Sequence, residues 1–169
     1  MSLVGNLPQI VYNESRMAAE PKAQPLILIV EDDPALSKMY AIKFQNSGFQ
    51  VIVAHDGATG LSMAAQQHPD IVLLDMMLPK YSGIEFLEQL QQHSQQITIP
   101  IIALSNKTDQ QDVDRAKKLG VREYLAKAMY TPEQVMQTVN KYLGDKAPQS
   151  VAQKPTVQAQ QPNPSAPQQ

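Results

Sequence analysis

Four short apolar runs in this chain each end on polar residues able to do chemistry. Leu26-Ile27-Leu28-Ile29-Val30 stops at Glu31-Asp32-Asp33, and Ile71-Val72-Leu73-Leu74 stops at Asp75. Ile101-Ile102-Ala103-Leu104 stops at Ser105, and Tyr124-Leu125-Ala126 stops at Lys127. Acids, a hydroxyl and an ammonium gathered in one pocket suit phosphoryl chemistry with a divalent metal, where positioning and charge neutralisation carry most of the catalysis. The acids need a cation, because two like charges about 4 Å apart repel by roughly 4 kcal/mol near a protein surface.

Elements that would bring these groups together follow from the pattern between them. Short continuous apolar runs read as strands buried on both faces, as in a parallel sheet covered by helices. Parallel strands deliver all four endings to one edge, the edge where open α/β sheets bind ligands. Asp33-Pro34 supplies an N-cap and a proline at the first helical position, and Leu36, Tyr40, Ile42 and Phe44 are assigned to the buried side of a helix ending near Gly48. Gln50 to Ala54 reads as a second strand, followed by a helix over Gly57 to Gln67 that Pro69 keeps from continuing. Ser82-Gly83-Ile84-Glu85 forms a capping box opening a third helix. Thr108-Asp109-Gln110-Gln111 opens a fourth, closed at Gly120, and Thr131-Pro132-Glu133-Gln134 opens a fifth, ended by Gly144. The fold class expected is α/β, a flavodoxin-like three-layer (βα)5 sandwich with five parallel strands in the order 2-1-3-4-5.

Bulk properties narrow the class. The 169 residues suffice for one well-buried domain plus tails. A net charge of -2 gives no reason to expect nucleic-acid binding. There is no cysteine, which excludes disulfides, thiol catalysis and thiolate metal sites. No apolar stretch approaches the roughly 18 residues of a membrane span, so no membrane insertion and a cytoplasmic location are expected. His55, His68 and His93 lack metal-ligand spacing and read as surface residues, and the eight methionines read mostly as core filler. Residues 1–24 read as a flexible arm, 25–145 as the folded unit and 146–169 as a tail. Ala147 to Gln169 holds seven Gln and five Pro in 23 residues with no aromatic, Leu or Ile, a composition expected to be disordered, as tail or as linker.

The motifs Ile-Val-Glu31-Asp32-Asp33-Pro, Leu-Leu-Asp75-Met-Met-Leu-Pro79, Ala-Leu-Ser105 and Tyr124-Leu-Ala-Lys127, in this order and at βα spacing, resemble the receiver domain of bacterial response regulators over about Leu26 to Leu143. The resemblance implies a two-component signalling switch whose Asp75 accepts a phosphoryl group from a sensor histidine kinase or a phosphotransfer protein. A carboxylate can be such a nucleophile, forming an acyl phosphate. It implies Mg²⁺ (or Mn²⁺) bound by Asp32, Asp75 and the backbone carbonyl of Met77, with Glu31 acting through water. Lys127 would neutralise the phosphoryl oxygens, while Ser105 and Tyr124 would report phosphorylation to a face made of the fourth helix, fifth strand and fifth helix. A downstream protein would dock on that face, with the chain a monomer or a phosphorylation-dependent dimer. It would be no enzyme apart from self-catalysed phosphorylation and dephosphorylation of Asp75.

Departures from that pattern carry expectations too. The family usually has proline after the lysine, joined by a cis bond; here Ala128 stands there, and a trans peptide is expected because a cis non-proline bond costs about 2.5–4 kcal/mol. Asn106 replaces a commonly smaller residue and is expected to narrow access to Asp75. Apolar Met77 offers an attacking water no hydrogen bond, which favours a long-lived phosphoryl group. Rival readings are a phosphorylation-independent pseudo-receiver, the receiver fragment of a larger regulator, and an aspartyl-nucleophile phosphatase. The last normally wants a second acid two residues after the nucleophile, where Met77 stands.

Overall fold

The computed structural model describes residues 24–93, 99–107 and 109–148. Strands β1 (Leu26–Val30), β2 (Gln50–Ala54), β3 (Ile71–Asp75), β4 (Ile101–Ser105) and β5 (Glu123–Ala126) alternate with helices α1 (Pro34–Asn46), α2 (Gly57–Gln67), α3 (Gly83–His93), α4 (Gln110–Lys118) and α5 (Pro132–Leu143). All strand pairs are parallel, in the order β2-β1-β3-β4-β5. The expected architecture is therefore the observed one.

Alternate residues of each strand feed two cores. Leu28, Val30, Val72, Leu74 and Ala103 face Phe86 and Leu87 of α3, Ala64 of α2 and Ala116 of α4. Ile27, Ile29, Ile71, Leu73, Ile102 and Leu104 face Tyr40 and Phe44 of α1 and Val135 and Val139 of α5. This period-two division explains the unbroken apolar runs: a strand covered on both sides leaves no solvent face for polar residues. Each fully buried Leu, Ile or Val contributes about 1.5–3 kcal/mol.

Local chemistry sets the helix starts. Asp33 caps α1, its Oδ1 accepting from the amides of Ala35 at 2.8 Å and Leu36 at 3.1 Å. Ser82 and Glu85 form the capping box of α3, and Thr131 and Gln134 that of α5. Asp109 caps α4; Thr108 lies outside the described residues. Gly83 is required at its position, because a Cβ there would stand 2.7 Å from Met76 Cα.

Two expectations are corrected. Ile42 is exposed rather than buried: Leu36, Tyr40 and Phe44 recur every four residues along one face, and a residue midway between two of them points away. Of the described methionines, Met76 is buried and Met63 and Met136 pack partly buried against the cores, whereas Met39, Met77 and Met129 are exposed, so core filling is the role of half of them rather than of most. Past Leu143 the chain continues in a 3-10 turn to Lys146, whose Nζ lies 2.9 Å from Asp70, and Ala147 joins the second core. The arm over residues 1–23 and the tail over 149–169 lie outside the described residues.

Candidate functional site

Strand register alone brings the four polar endings together. Val30 pairs with Leu74, so Glu31 and Asp75 each stand one residue beyond a matched pair. Asp75 pairs with Leu104 and Ser105 with Ala126, which staggers Ser105 and Lys127 outward along the same edge. Side chains of Glu31, Asp75 and Lys127 meet at this edge with Asp32 alongside, whereas the Ser105 and Tyr124 hydroxyls bond to Lys107.

Lys127 is the centre of the arrangement. Its Nζ lies 2.7 Å from Glu31 Oε2 and 2.8 Å from Asp75 Oδ2, and all three side chains are less than a tenth exposed. Burial works to lower the Lys127 pKa, but the bonds to Asp75 and Glu31 outweigh it and hold the ammonium above its ordinary range. Burial raises the Glu31 pKa; the Lys127 bond opposes this without cancelling it. Two buried acids facing one cation leave an excess of negative charge that a further cation can neutralise.

The donor set fits a hard divalent ion. Carboxylate oxygens of Glu31, Asp32 and Asp75 lie within 4.8 Å of one another, and Asp32 is solvent-exposed. All-oxygen ligation of this kind suits Mg²⁺ or Mn²⁺. Asp75 Oδ1 accepts the Met77 N–H at 2.9 Å, a turn that folds the chain sharply at the strand end. Met77 itself is exposed. Asp33, the third acid of the run, is committed to capping: the Leu36 and Ala35 amides hold its carboxyl below the usual range.

Ser105 is buried, and its Oγ accepts the Lys107 N–H at 3.1 Å. Tyr124 is half-buried and donates its hydroxyl to the Lys107 carbonyl at 3.2 Å. Lys127 N–H donates to the Ser105 carbonyl at 2.8 Å, so β5 is tied to β4 beyond the last strand pair. Asn106 is exposed beside them. All described peptide bonds are trans, Lys127–Ala128 included.

Sequence reasoning missed the contacts of two residues near these groups, His55 and Lys107, the latter read only as flanking the site. His55 is exposed as expected, yet its Nδ1 sits 3.0 Å from the Glu31 carbonyl. The signal was available: His55 follows β2 directly, and β2 neighbours β1 in the expected order. Lys107 joins Ser105 to Tyr124 through its main chain, which side-chain chemistry could not reveal.

Residues 27–140 match the family model described as the response regulator receiver domain. The polar-differentiation response regulator DivK of Brucella ovis is 31% identical over 119 residues, 70% of this chain and 96% of that protein. RpaA of Synechocystis, named a DNA-binding dual master transcriptional regulator, is 36% identical over 103 residues, 61% of this chain but only 43% of that protein. Among solved structures, the chemotaxis protein CheY4 of Vibrio cholerae superposes with a TM-score of 0.66 at 27% identity, covering 71% of this chain and 99% of that one. The receiver domain of the Francisella response regulator 1452 gives 0.65 at 28%, covering 71% and 97%. With its strand order, its edge of acids and its family match in agreement, the chain belongs to the response regulator receiver domains of two-component signalling.

Proposed function

We propose that this protein is a phosphorylatable switch that accepts a phosphoryl group on Asp75 from a sensor histidine kinase or a phosphotransfer protein. One observation carries the reading: a buried Asp75 carboxylate held 2.8 Å from Lys127 Nζ, with Glu31 and Asp32 oxygens alongside. In the transfer, an Asp75 carboxylate oxygen bonds to phosphorus as the phosphorus–nitrogen bond of the donor phosphohistidine breaks, and the imidazole keeps that electron pair. Asp32, Asp75 and the Met77 carbonyl would hold Mg²⁺ or Mn²⁺, with Glu31 acting through water. That ion supplies charge neutralisation on the transferring group. Lys127 lies within reach of the same oxygens and shares that task.

Signalling would follow when the Ser105 hydroxyl turns from Lys107 to the acquired phosphoryl group. A charge-assisted bond is worth about 1.5–3 kcal/mol, whereas inverting a 1:99 population takes about 5.5 kcal/mol. Ser105 therefore needs Lys127 and the metal acting with it. Tyr124 would then move with the β4–α4 loop and change the α4–β5–α5 face that a downstream protein, in the cytoplasm, recognises. Dimerisation on phosphorylation is compatible with the same face.

Acetyl phosphate with Mg²⁺ and an intact-mass readout tests the reading. A phosphate-sized adduct on the wild type that is lost in Asp75→Ala supports it. No adduct on the wild type, from acetyl phosphate or a phosphorylated kinase, would leave a pseudo-receiver.

A further inference from the structure

The turn carrying Glu31 and Asp32 hangs off the end of β1; within it the Asp33 N–H donates to Glu31 Oε1 at 3.4 Å, and two further bonds tie its main chain to the β2 end. Glu31 N–H donates to the Ala54 carbonyl at 3.0 Å, which extends the β1–β2 ladder by one bond. Beyond that bond β2 has ended, and the chain turns at Asp56, whose carboxylate caps α2 through the Thr59 amide at 2.8 Å and the Thr59 hydroxyl at 2.8 Å. Among the described residues, the donor that reaches the Glu31 carbonyl is the His55 ring, with Nδ1 at 3.0 Å. A carbonyl can only accept, so Nδ1 carries the proton. The ring stands between the end of a paired strand and a capped helix, which fixes its own backbone on both sides.

We propose that His55 is a positioning residue for the acidic site: its Nδ1–H holds the Glu31 carbonyl and thereby sets the Glu31–Asp32 turn opposite Asp75. The inference rests on the reading of Glu31, Asp32 and Asp75 as metal-binding acids. Glu31 is then gripped at its amide by Ala54, at its carbonyl by His55 and at its carboxylate by Lys127. Freeing the carbonyl lets the turn rotate about its remaining bonds and spreads the carboxylates, although His55 touches no ligand oxygen. Groups one step removed from a metal characteristically act in this way on its affinity.

The test is Mg²⁺ and Mn²⁺ titration, without phosphodonor, of the full chain and of His55→Ala, His55→Asn and His55→Gln. An asparagine amide nitrogen occupies nearly the place of Nδ1, whereas glutamine reaches toward the place of Nε2. Affinity is expected to fall about tenfold in His55→Ala, to recover in His55→Asn and to stay low in His55→Gln, with melting temperatures lowered by no more than the few degrees that one lost hydrogen bond costs. Ring nitrogen NMR of the neutral wild type should show the proton on Nδ1. Equal affinity in His55→Ala, equal rescue by asparagine and glutamine, or a proton on Nε2 overturns the proposal. If the wild type itself binds neither ion, the metal reading fails separately. His55 is then judged on the ring tautomer and on amide exchange at Asp32 and Asp33, which must quicken in His55→Ala for the positioning role to stand.

Discussion

The hydroxyls of Ser105 and Tyr124 meet on a single residue: Ser105 Oγ accepts the Lys107 N–H at 3.1 Å, and Tyr124 donates to the Lys107 carbonyl at 3.2 Å. The β4–α4 loop is therefore pinned from both sides, and neither hydroxyl can leave without loosening the residue the other holds. Each bond is worth about 0.5–1.5 kcal/mol. Ser105→Ala and Tyr124→Phe should each speed amide exchange at Lys107 and in the first turn of α4. Their double variant should show a coupling of at least about 0.5 kcal/mol in urea unfolding. Strictly additive effects would mean that the two hydroxyls act independently.

Lys127 should govern alkaline stability. Its pKa is raised in the folded protein above the ordinary 10.5, so the folded state holds that proton more tightly than the unfolded chain. The resulting stabilisation is complete below pH 10.5 and is lost as pH rises through the folded value. Burial raises the Tyr40 pKa and adds a loss of the same sign above 10. Urea midpoints taken between pH 9 and pH 12 for wild type and Lys127→Met isolate the Lys127 contribution as their difference, since the methionine variant keeps Tyr40 together with Tyr81, Lys141 and Tyr142, whose pKa values are also raised.

At neutral pH the same Lys127→Met change leaves Glu31 and Asp75 without their cation. Breaking a buried ion pair from one side costs about 3–5 kcal/mol. Loss of the ammonium removes what opposes the burial-driven rise of the Glu31 pKa, so protonation should relieve the variant. Its melting temperature is expected to climb as pH falls from about 7 to about 5, a range in which the Lys127 of the wild type stays charged. A variant as stable as wild type at pH 7 would contradict the geometry.

Lys80 stands at φ +65°, between the Pro79 carbonyl and the Tyr81 amide that meet at 2.8 Å in a three-residue turn. A side chain in this left-handed region costs about 1–2 kcal/mol, and glycine gives back roughly half of that through its freer unfolded chain. Lys80→Gly should therefore raise stability by about 0.5–1 kcal/mol, read as a higher urea midpoint. An unchanged midpoint would place the turn's constraint elsewhere.

Met77 is 43% exposed two residues after Asp75 and offers water no hydrogen bond. With Asp75 phosphorylated, Met77→Asn should shorten the lifetime of the acyl phosphate about tenfold by orienting the attacking water. Intact mass followed after removal of phosphodonor measures the decay. Loss of the wild-type adduct within seconds would show that an apolar Met77 does not protect it.

The layers of the fold were legible along the chain because their causes are local. Apolar runs bounded by Asp33-Pro34, Ser82-Gly83 and Thr131-Pro132 report strands and helix starts without reference to distant residues. A parallel sheet then places the residue after every strand on one edge, so Glu31, Asp75, Ser105 and Lys127 were identifiable as neighbours from topology alone. Tertiary structure decided the rest, because it depends on register and on side-chain reach between residues far apart in sequence. Only the packed sheet shows one ammonium shared by Glu31, 96 residues away, and Asp75, 52 away. Likewise only packing turns Ile42 to solvent, sets the His55 ring on the Glu31 carbonyl and pins Lys107 between two hydroxyls. Composition fixes which groups are present; the geometry of adjacent strands determines which of them touch.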